Sequence, residues 1–358
     1  MIKFSKIIGM RSDYAQAGGG NTSEKINATE MLVKSSGYSL SELSENKGIS
    51  KVIYKKISDF LFSDELASSD ETKVNKLLED NLISGNRPSI ETFLHSVTKF
   101  KYTAHSHPLT ANILLSRKEG ETELKKLFPY CLFVDYATPG LELTKIYVNA
   151  LKESPTLGVD SKSKAQVIFL RNHGLVVSAD NEDTVIDVTD EINSKIADYL
   201  GIDIEPYQTQ SRLLKLLSDD NLISDGNIIY LAENTNIEKA LEVFPNGWNY
   251  KFCPDCVVYC GSEILKLDGL EDEVLLKKQA KDFVMQNGQP IVILLNHHIY
   301  IVAANVAKAQ DIESVLSFSA QVVMSNFSSD KQISYLDKNE VAKLLNWDAE
   351  KYRKNLNS

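Results

Sequence analysis

The stretch VIFLRNHGLVVSADNEDTVIDVTDEINSKIADYL, residues 167–200, decides the fold class. Two short apolar runs, 167–170 and 175–178, predict strands on either side of a tight turn. Asn181 follows the second run, and apolar residues then recur at helical spacing over 182–200, which predicts a capped amphipathic helix. A unit of strand, turn, strand and helix indicates a protein that mixes helices with a sheet.

The same alternation extends toward the N-terminus. Short runs rich in β-branched or aromatic residues predict strands, and stretches with helical apolar spacing predict helices. The predicted strands are 30–33, 100–104 and 131–134, and the predicted helices are 71–81, 90–98, 109–115 and 141–152. Because strands and helices interleave, we expect an α/β or α+β sandwich in which helices pack on a sheet.

The chain is expected to form two domains. GIDIEPYQTQ (residues 201–210) contains a proline and several polar residues, which predicts a linker or a domain edge and places the domains at 1–205 and 206–358. VIFLRNHGLVVSA (167–179) and VILLNHHIYIVAA (292–304) share the order strand, Asn-His, strand. The second, smaller α/β domain is therefore either a degenerate repeat of part of the first or an independent use of a common hairpin and helix.

Composition and charge exclude several classes of function. The 358 residues include 39 Lys and Arg against 49 Asp and Glu, a net charge of −10, whereas a non-specific nucleic-acid binder needs clustered positive charge. No apolar run reaches the roughly 18–20 residues that span a bilayer, and the N-terminal MIKFSKIIGM lacks the features of a secretion signal. The four cysteines do not suggest a disulfide scaffold. We therefore expect a cytoplasmic protein that binds neither nucleic acid nor membrane.

Four of the six histidines lie between residues 95 and 173. In an extended segment, residues i and i+2 project from the same face, so His105 and His107 can reach one ion. His173, at the predicted turn, can complete a three-histidine set. An isolated His-x-His is often ordinary surface or core histidine, but the turn histidine and a nearby candidate acid together predict a metal site.

Glu91, in the segment RPSIETFLH (87–95), is that candidate acid. Its place in the first turn of a predicted helix has two explanations. The carboxylate can be stabilised by the helix dipole, or it can act as a general acid/base beside the metal. His95, one turn further along the helix, is expected to be structural.

Two segments rich in glycine and serine have the composition of an anion site. In GGGNTS (18–23) and VKSSG (33–37), glycines let the backbone approach an anion, while Asn and Ser supply neutral donors. Neither segment matches a Walker P-loop or a dinucleotide-binding G-x-G-x-x-G motif. Either segment by itself would be typical of an ordinary loop.

These segments occur in an order that resembles a known family. GGGNTSEK, MLVKSSGYSL, RPSIETFLH, HSHP, TPGLELTKIYVNAL and LRNHGLVV follow one another along the chain. Over residues 10–200 the sequence resembles the class II aldolase/adducin family, which includes L-fuculose-phosphate and L-rhamnulose-phosphate aldolases. The GGGNTS and VKSSG segments are similar to those of the longer bacterial members, such as the aldolase half of rhamnulose-1-phosphate aldolase/alcohol dehydrogenase fusions.

The resemblance implies a three-layer αβα sandwich, a homo-oligomer (typically a tetramer) and one Zn²⁺ or another divalent ion per chain. It also implies that His105, His107 and His173 bind the ion and that Glu91 is the catalytic acid. The residues at the positions of the phosphate-binding site are Gly20, Asn21, Ser36, Gly37 and Ser89.

The implied function is aldol cleavage or condensation of a phosphorylated ketose or a similar hydroxy-carbonyl compound, through an enediolate that the metal stabilises. The alternatives are a sugar-phosphate dehydratase or epimerase with the same zinc site, or a non-catalytic adducin-like interaction module. Related epimerases carry Asp at the position of Glu91, so Glu favours an aldolase or dehydratase. The family's aldolases often have two serines before the acid, whereas this chain has Ser89-Ile90, which predicts an altered phosphate site.

The second half of the chain offers weaker motifs. Cys253-Pro-Asp-Cys256 lacks a second cysteine pair that would complete a zinc ribbon, and FCPDCVVYC (252–260) predicts a strand entered through a proline turn. His297-His298 has no His-x-His or acidic partner upstream. We expect no second catalytic centre there, and the role of this domain stays open.

Overall fold

A computed structural model of the protein describes residues 1–154, 158–160 and 162–346. The described residues pack as two compact units, Met1–Glu205 and a second unit that begins at Pro206. The end of the predicted second domain, residues 347–358, lies outside the described residues.

The first unit is built on one mixed sheet. Its order is β4-β3-β2-β1-β5-β9-β8-β6, with β7 paired to β8; β6 and β8 are parallel, and the other neighbours are antiparallel. In chain order the strands are β1 (Asn21–Lys25), β2 (Met31–Lys34), β3 (Ile49–Val52), β4 (Leu82–Ser84), β5 (Tyr102–Ser106), β6 (Leu132–Val134), β7 (Val159–Asp160), β8 (Ala165–Leu170) and β9 (Gly174–Ala179).

Helices cover both faces of this sheet. They are α1 (Ile2–Met10), α2 (Tyr54–Phe62), α3 (Glu71–Asp80), α4 (Thr92–Val97), α5 (Leu109–Leu115), α6 (Gly120–Leu127), α7 (Leu141–Glu153) and α8 (Glu182–Leu200). One apolar cluster joins the sheet to α1, α5, α6 and α8, and a second joins it to α2, α3, α4 and α7.

Strand β8 contributes side chains to both apolar clusters. Val167 and Phe169 belong to the first cluster, whereas Ile168 and Leu170 belong to the second, and all four are fully buried. Successive strand residues point to opposite faces, so a strand between two helical layers must be apolar throughout. The predicted α/β class and its αβα layering are confirmed.

The stretch 167–200 forms the hairpin and helix that its pattern predicts. Asn172 in the turn has a φ of 52°, a left-handed conformation that Asn tolerates better than most residues. The Asn181 side chain accepts a hydrogen bond from the Thr184 N–H at 2.7 Å and so caps α8. Gly201, with a φ of 68°, ends the helix in the left-handed region that glycine favours.

The second unit has a smaller sheet of the order β10-β13-β12-β11. Its strands are β10 (Ile228–Leu231), β11 (Leu265–Leu267), β12 (Val292–Leu295) and β13 (His298–Ala303). Its helices are α9 (Glu205–Asp219), α10 (Thr235–Val243), α11 (Pro254–Cys260), α12 (Glu273–Asn287), α13 (Val306–Ser328) and α14 (Lys338–Leu345). Across the described part of the chain, no helix is long and apolar enough to cross a membrane.

The two units share a topology over much of their length. From β5 to α8, apart from the short β7, the chain runs strand, two helices, strand, helix, two strands and helix; β10 to α13 has the same order. Both series pair their strands antiparallel, antiparallel and parallel across the sheet. This correspondence supports the degenerate-repeat explanation, which we keep as a proposal.

One local expectation in the second half is wrong, and another agrees with the structure only in part. Residues 201–210, predicted as a linker or a domain edge, contain the boundary between the two compact units. They do not form an irregular linker, because α9 begins at Glu205 and has Pro206 in its first turn, a position where the missing proline N–H costs nothing. The predicted strand in FCPDCVVYC is helix α11, which starts at Pro254 for the same reason. The buried positions Cys256, Val257 and Cys260 follow helical spacing rather than the alternation of a strand.

The cap of α8 gives a test of this fold. Asn181→Ala removes the acceptor for the Thr184 N–H, so we expect the free energy of unfolding to fall by about 1 kcal/mol. Asn181→Asp keeps an acceptor and should leave stability close to that of the original protein. Denaturant unfolding measures both variants, and an alanine variant as stable as the aspartate variant would contradict the assigned cap.

Candidate metal centre

The pairing of β5 with β9 brings the predicted histidines together. His105 lies in β5 opposite Val176 of β9, so the turn that carries His173 lies beside the end of β5. His107 follows β5 directly, and its backbone N–H donates to the Tyr14 carbonyl at 2.8 Å. Two segments almost seventy residues apart therefore meet at one edge of the sheet.

Gly174 permits this close approach. A Cβ atom at this position would lie 2.3 Å from the Ser106 carbonyl oxygen and 3.1 Å from the His107 ring. Moving either the backbone or the packed ring would cost free energy, so a side chain at residue 174 would push the turn away from β5. The position after His173 therefore requires glycine for a steric reason, which the sequence motif does not reveal.

The three imidazole rings converge through their Nε2 atoms. His105 Nε2 lies 3.1 Å from His107 Nε2 and 3.2 Å from His173 Nε2. Nitrogens that bind a tetrahedral zinc ion at about 2.0–2.1 Å are about 3.3 Å apart, so the spacing suits one small ion. Among the described residues, these histidines and Glu91 form one group whose ligand atoms all lie within 4.8 Å of one another.

A backbone contact sets the tautomer of His105. Its Nδ1 lies 3.1 Å from the Leu175 carbonyl, which can only accept, so Nδ1 carries the proton and donates it. Nε2 then keeps its lone pair for the space between the rings. A backbone carbonyl that orients a histidine in this way is typical of metal-binding sites.

Glu91 lies immediately before α4 and turns toward the histidines. Its side chain accepts no capping hydrogen bond from the described helix, whereas Oε1 lies 3.2 Å from His105 Nε2 and 3.4 Å from His173 Nε2. The carboxylate is 16% exposed, so a small molecule can reach it. This placement favours a chemical role over simple stabilisation by the helix dipole.

Burial and charge act in opposite directions on this group. Burial raises the pKa of Glu91, but the charge and hydrogen bonds of His105 and His173 outweigh it and hold the pKa well below its usual range. Burial likewise lowers the pKa of His105, and Glu91 more than reverses the effect, so this pKa is raised. Burial, with help from the other imidazoles, lowers the pKa of His107 to about 3. A bound cation would therefore meet an ionised carboxylate and would require all three imidazoles to be neutral.

His95 lies outside this group. It is fully buried in α4, and its Nδ1 lies 2.8 Å from the Ser23 hydroxyl. Burial lowers the pKa of His95 to about 3, which keeps the ring neutral. These contacts agree with the structural role expected of it.

Gly20 and Asn21, two of the residues expected to bind phosphate, lie against His105. Asn21 is opposite His105 in the β1–β5 pair, and a Cβ on Gly20 would lie 3.1 Å from the His105 carbonyl. The Asn21 amide is fully buried, and neither its nitrogen nor its oxygen has a hydrogen-bond partner among the described residues. Because buried polar atoms are rarely left unpaired, this amide fits a site that a ligand or water completes.

Ser36, Gly37 and Ser89 lie where β2 meets the segment before α4. The Ser36 N–H donates to the Arg87 carbonyl at 2.9 Å, and the Ser89 N–H donates to the Lys34 carbonyl at 3.2 Å. Ser36 and Gly37 are exposed, and no atom of the described residues lies within 4 Å of the position that a Gly37 Cβ would take. The backbone there is open to an incoming group.

A buried cluster that the sequence patterns do not predict supports His107. Arg11, which is fully buried, donates to both carboxylate oxygens of Asp13 at 2.7 Å and lies 4.0 Å from the centre of the Tyr14 ring. Asp190 of α8 accepts hydrogen bonds from Arg11 and from the Tyr14 hydroxyl. The Tyr14 carbonyl in turn holds the His107 N–H. An Arg-x-Asp sequence is common on surfaces, so only the adjacent apolar helix could have indicated its burial.

Comparison with known proteins agrees with the resemblance found in the sequence. The family model described as the class II aldolase and adducin N-terminal domain matches residues 1–197, more than half of the chain. The chain belongs to the class II aldolase and adducin family. All of the residues in the histidine and glutamate group, and all of those expected to bind phosphate, lie inside the matched region.

The individual proteins that the chain resembles are distant from it in sequence. The uncharacterized oxidoreductase YuxG of Bacillus subtilis (strain 168) is 25% identical over 218 residues, which is 58% of this chain and only 30% of that protein's length. The N-terminal class II aldolase domain of a conserved protein from Thermoplasma acidophilum is 24% identical, with a TM-score of 0.47. The match covers 56% of this chain and 91% of the Thermoplasma chain. An L-fuculose 1-phosphate aldolase is 18% identical, with a TM-score of 0.39 over 60% and 93% of the two chains. The fold assignment therefore rests on the family match and on the structure itself.

The cluster predicts a metal content. We expect the purified protein to hold about one divalent ion per chain, and His105→Ala/His107→Ala to lose it, because too few ligands remain. His297→Ala, which changes an exposed turn histidine of the second unit, should leave the content unchanged. Elemental analysis after dialysis measures all three proteins, and equal metal in the double variant would contradict this site.

The buried arginine gives a second test. Arg11→Met leaves the Asp13 carboxylate buried without its cation, so we expect a loss of about 3 kcal/mol in the free energy of unfolding and weaker metal binding. Arg117→Met, which removes a half-exposed partner of Glu123, should cost at most about 0.5 kcal/mol. Denaturant unfolding and zinc titration measure both, and equal effects of the two changes would refute the supporting role.

Proposed function

We propose that the protein is a zinc-dependent class II aldolase that cleaves or forms a carbon–carbon bond in a phosphorylated ketose or a similar hydroxy-carbonyl compound. The observation that carries this proposal is the convergence of three imidazole Nε2 atoms with a carboxylate oxygen 3.2 Å from one of them. Membership of the family supports lyase chemistry of this kind.

Zinc is the ion that we assign to the three histidines. Three neutral nitrogen ligands with one open position are typical of catalytic zinc, although imidazole also suits other divalent ions. When bound, the ion would supply a Lewis acid that stabilises the negative charge of an enediolate. The assignment to His105, His107 and His173 rests on the chemistry and spacing of these donors.

Glu91 would move the proton. Its lowered pKa keeps the carboxylate ionised at neutral pH, so it is ready to accept a proton from a substrate hydroxyl or carbon. Its partial exposure lets the substrate approach within hydrogen-bond distance. In the reverse direction, the same carboxyl group would return the proton.

The phosphate of the substrate would bind beside this group. The amide of Asn21, which has no hydrogen-bond partner in the described part of the chain, and the open backbone at Gly37 support the assignment. Neutral donors and close backbone approach suit a phosphate. Gly20, Ser36 and Ser89 complete the proposed set.

The closest alternative keeps the metal and changes the reaction to water loss or epimerisation. Glu91 in place of Asp favours aldolase or dehydratase chemistry over epimerisation. A non-catalytic adducin-like module is disfavoured because the ligand set and the acid are all present. The name oxidoreductase belongs to a relative of which the chain matches 30%, and no dinucleotide-binding glycine motif follows residue 200.

We propose that residues 1–205 are the catalytic domain and that 206–358 form a second α/β domain of open role. We also propose a cytoplasmic homo-oligomer, with the tetramer typical of the family, that takes a small sugar-phosphate-like substrate and binds neither nucleic acid nor membrane.

Glu91→Gln tests the proposed chemistry. The amide keeps the shape of the side chain and cannot accept the proton, so we expect at least about a 100-fold fall in the rate of aldehyde release, with zinc retained. The assay incubates zinc-loaded protein with a panel of ketose 1-phosphates and follows dihydroxyacetone phosphate by a coupled reaction. Glu79→Gln, an exposed change on α3, is the matched control.

Two results would count against this assignment. Full activity in the Glu91→Gln protein would remove Glu91 from the role of acid/base. Water loss or inversion without carbon–carbon cleavage would move the protein to the dehydratase or epimerase alternative.

A further inference from the structure

Cys253 and Cys256, at the start of α11 in the second unit, are two thiols that the proposed function does not use. Their Sγ atoms lie 3.2 Å apart, and both cysteines are free. A covalent S–S bond is about 2.05 Å long, so the sulfurs are only about 1 Å further apart than in a disulfide. The pair is therefore placed to form an intramolecular disulfide.

The helical start of this segment brings the two sulfurs together. In a strand, residues three apart point to opposite faces of the sheet, so the strand predicted for 252–260 would have separated them. Cys253 is instead the N-cap of α11, and Cys256 is its third helical residue. Side chains at these two positions face each other across the first turn, as they do in a capping box. The Cys253 side chain makes no capping hydrogen bond in the described helix, and its sulfur turns toward Cys256.

The short helix is held at both ends. Before it, the ring of Phe252 lies 5.9 Å from the ring of Phe318 in α13, measured between ring centres. Pro254, the first helical residue, restricts its own φ to a helical value. At the other end, the Tyr250 hydroxyl donates to the Cys260 carbonyl at 3.2 Å. The distance between the two sulfurs is therefore set by the packing of the second unit.

The two sulfurs differ in their access to solvent. Cys253 is partly exposed, and the next two residues, Pro254 and Asp255, are exposed, so a second molecule can approach its sulfur. Cys256 is fully buried. Burial raises the pKa of Cys256, and the sulfur of Cys253 and the carboxylate of Asp255 raise it further. A dissolved reagent therefore meets Cys253 first, and Cys256 can react only with its neighbour.

A third cysteine, Cys260, lies one turn further along α11 and is fully buried. The three sulfurs do not make a metal site: within the described part of the chain, the group around Glu91 is the one set of three or more potential ligands that converge. Structural zinc takes four protein ligands, so two thiols alone are a poor site for it. The geometry favours a reaction between two sulfurs over the binding of a metal ion.

We infer that Cys253 and Cys256 form a redox-active dithiol that reduces a disulfide of low molecular weight and becomes a disulfide itself. This inference does not depend on the proposed aldolase reaction, and it gives the second unit a reactive site of its own. Disulfides in reducing compartments are usually catalytic or redox-sensing. The pair would stay reduced there and would close when oxidised thiols accumulate.

The reaction has two exchange steps, each of which breaks one S–S bond and forms another. First, Cys253 Sγ loses its proton and attacks the disulfide of the reagent, which leaves a mixed disulfide on Cys253 and releases half of the reagent as a thiol with that proton. Cys256 Sγ then loses its proton and attacks Cys253 Sγ, and the second half of the reagent leaves as a thiol. The protein has lost two electrons and two protons, and the reagent has gained both.

The experiment incubates the full chain with an excess of oxidised glutathione and counts the free thiols by alkylation and mass spectrometry. The chain has four cysteines. We expect half of these thiols to be lost, with a fall in mass of two hydrogen atoms before alkylation and no bound glutathione. A dithiol reductant should restore all of them.

Four variants identify the sulfurs. Cys256→Ser should hold one glutathione on Cys253, because no second thiol releases it. Cys253→Ser should gain neither a glutathione nor a disulfide, because Cys256 is buried. Cys260→Ser and Cys131→Ser, which change other buried cysteines, are matched controls and should lose two thiols as the original protein does.

Zinc content and thermal unfolding are measured for every protein, and Cys256→Ala replaces Cys256→Ser if the latter does not fold. Four free thiols in the original protein under excess oxidised glutathione would overturn the inference, as would a disulfide that persists in the Cys253→Ser protein. Thiols that react only after a chelator removes zinc would also overturn it, because they would place a metal ion on the pair.

Discussion

The antiparallel pairing of β5 with β9 is the constraint on which the candidate site depends. It fixes His105 opposite Val176 and brings the His173 turn to the end of β5. A slip of one residue would turn His105 to the other face of the sheet and separate the rings. Apolar residues on both faces of β9 hold the register, since a slip would also exchange two packed cores. The same buried pairing that stabilises the sandwich therefore sets the geometry of the candidate metal centre.

The second unit shows that this fold does not require the histidines. Its β10–β13 pair is antiparallel like the β5–β9 pair, and in it Leu231 lies opposite Tyr300, whereas His105 lies opposite Val176 in the first unit. Leucine stabilises a buried strand at least as well as histidine does and cannot bind a metal. The stability of the sheet therefore does not explain why three imidazole nitrogens converge on one point in the first unit.

Short-range patterns in the sequence predict part of the fold and part of the candidate site. The period of apolar residues gave the hairpin and helix of 167–200, and the spacing of His-x-His gave a shared face. Burial that depends on distant partners was not predictable: Arg11 is fully buried, although the segment RSDY (11–14) to which it belongs resembles a surface turn. The strand predicted at FCPDCVVYC (252–260) was wrong because an apolar run next to a proline fits a strand or a helix equally well.

X-ray absorption spectroscopy of the zinc-loaded protein at the zinc edge tests the central claim most directly, because it identifies the atoms bound to the ion. We expect nitrogen or oxygen neighbours at about 2.0–2.1 Å, with the outer-shell scattering of imidazole rings. Sulfur neighbours at about 2.3 Å would contradict it, because they would place the ion on cysteines such as Cys253 and Cys256 in the second unit.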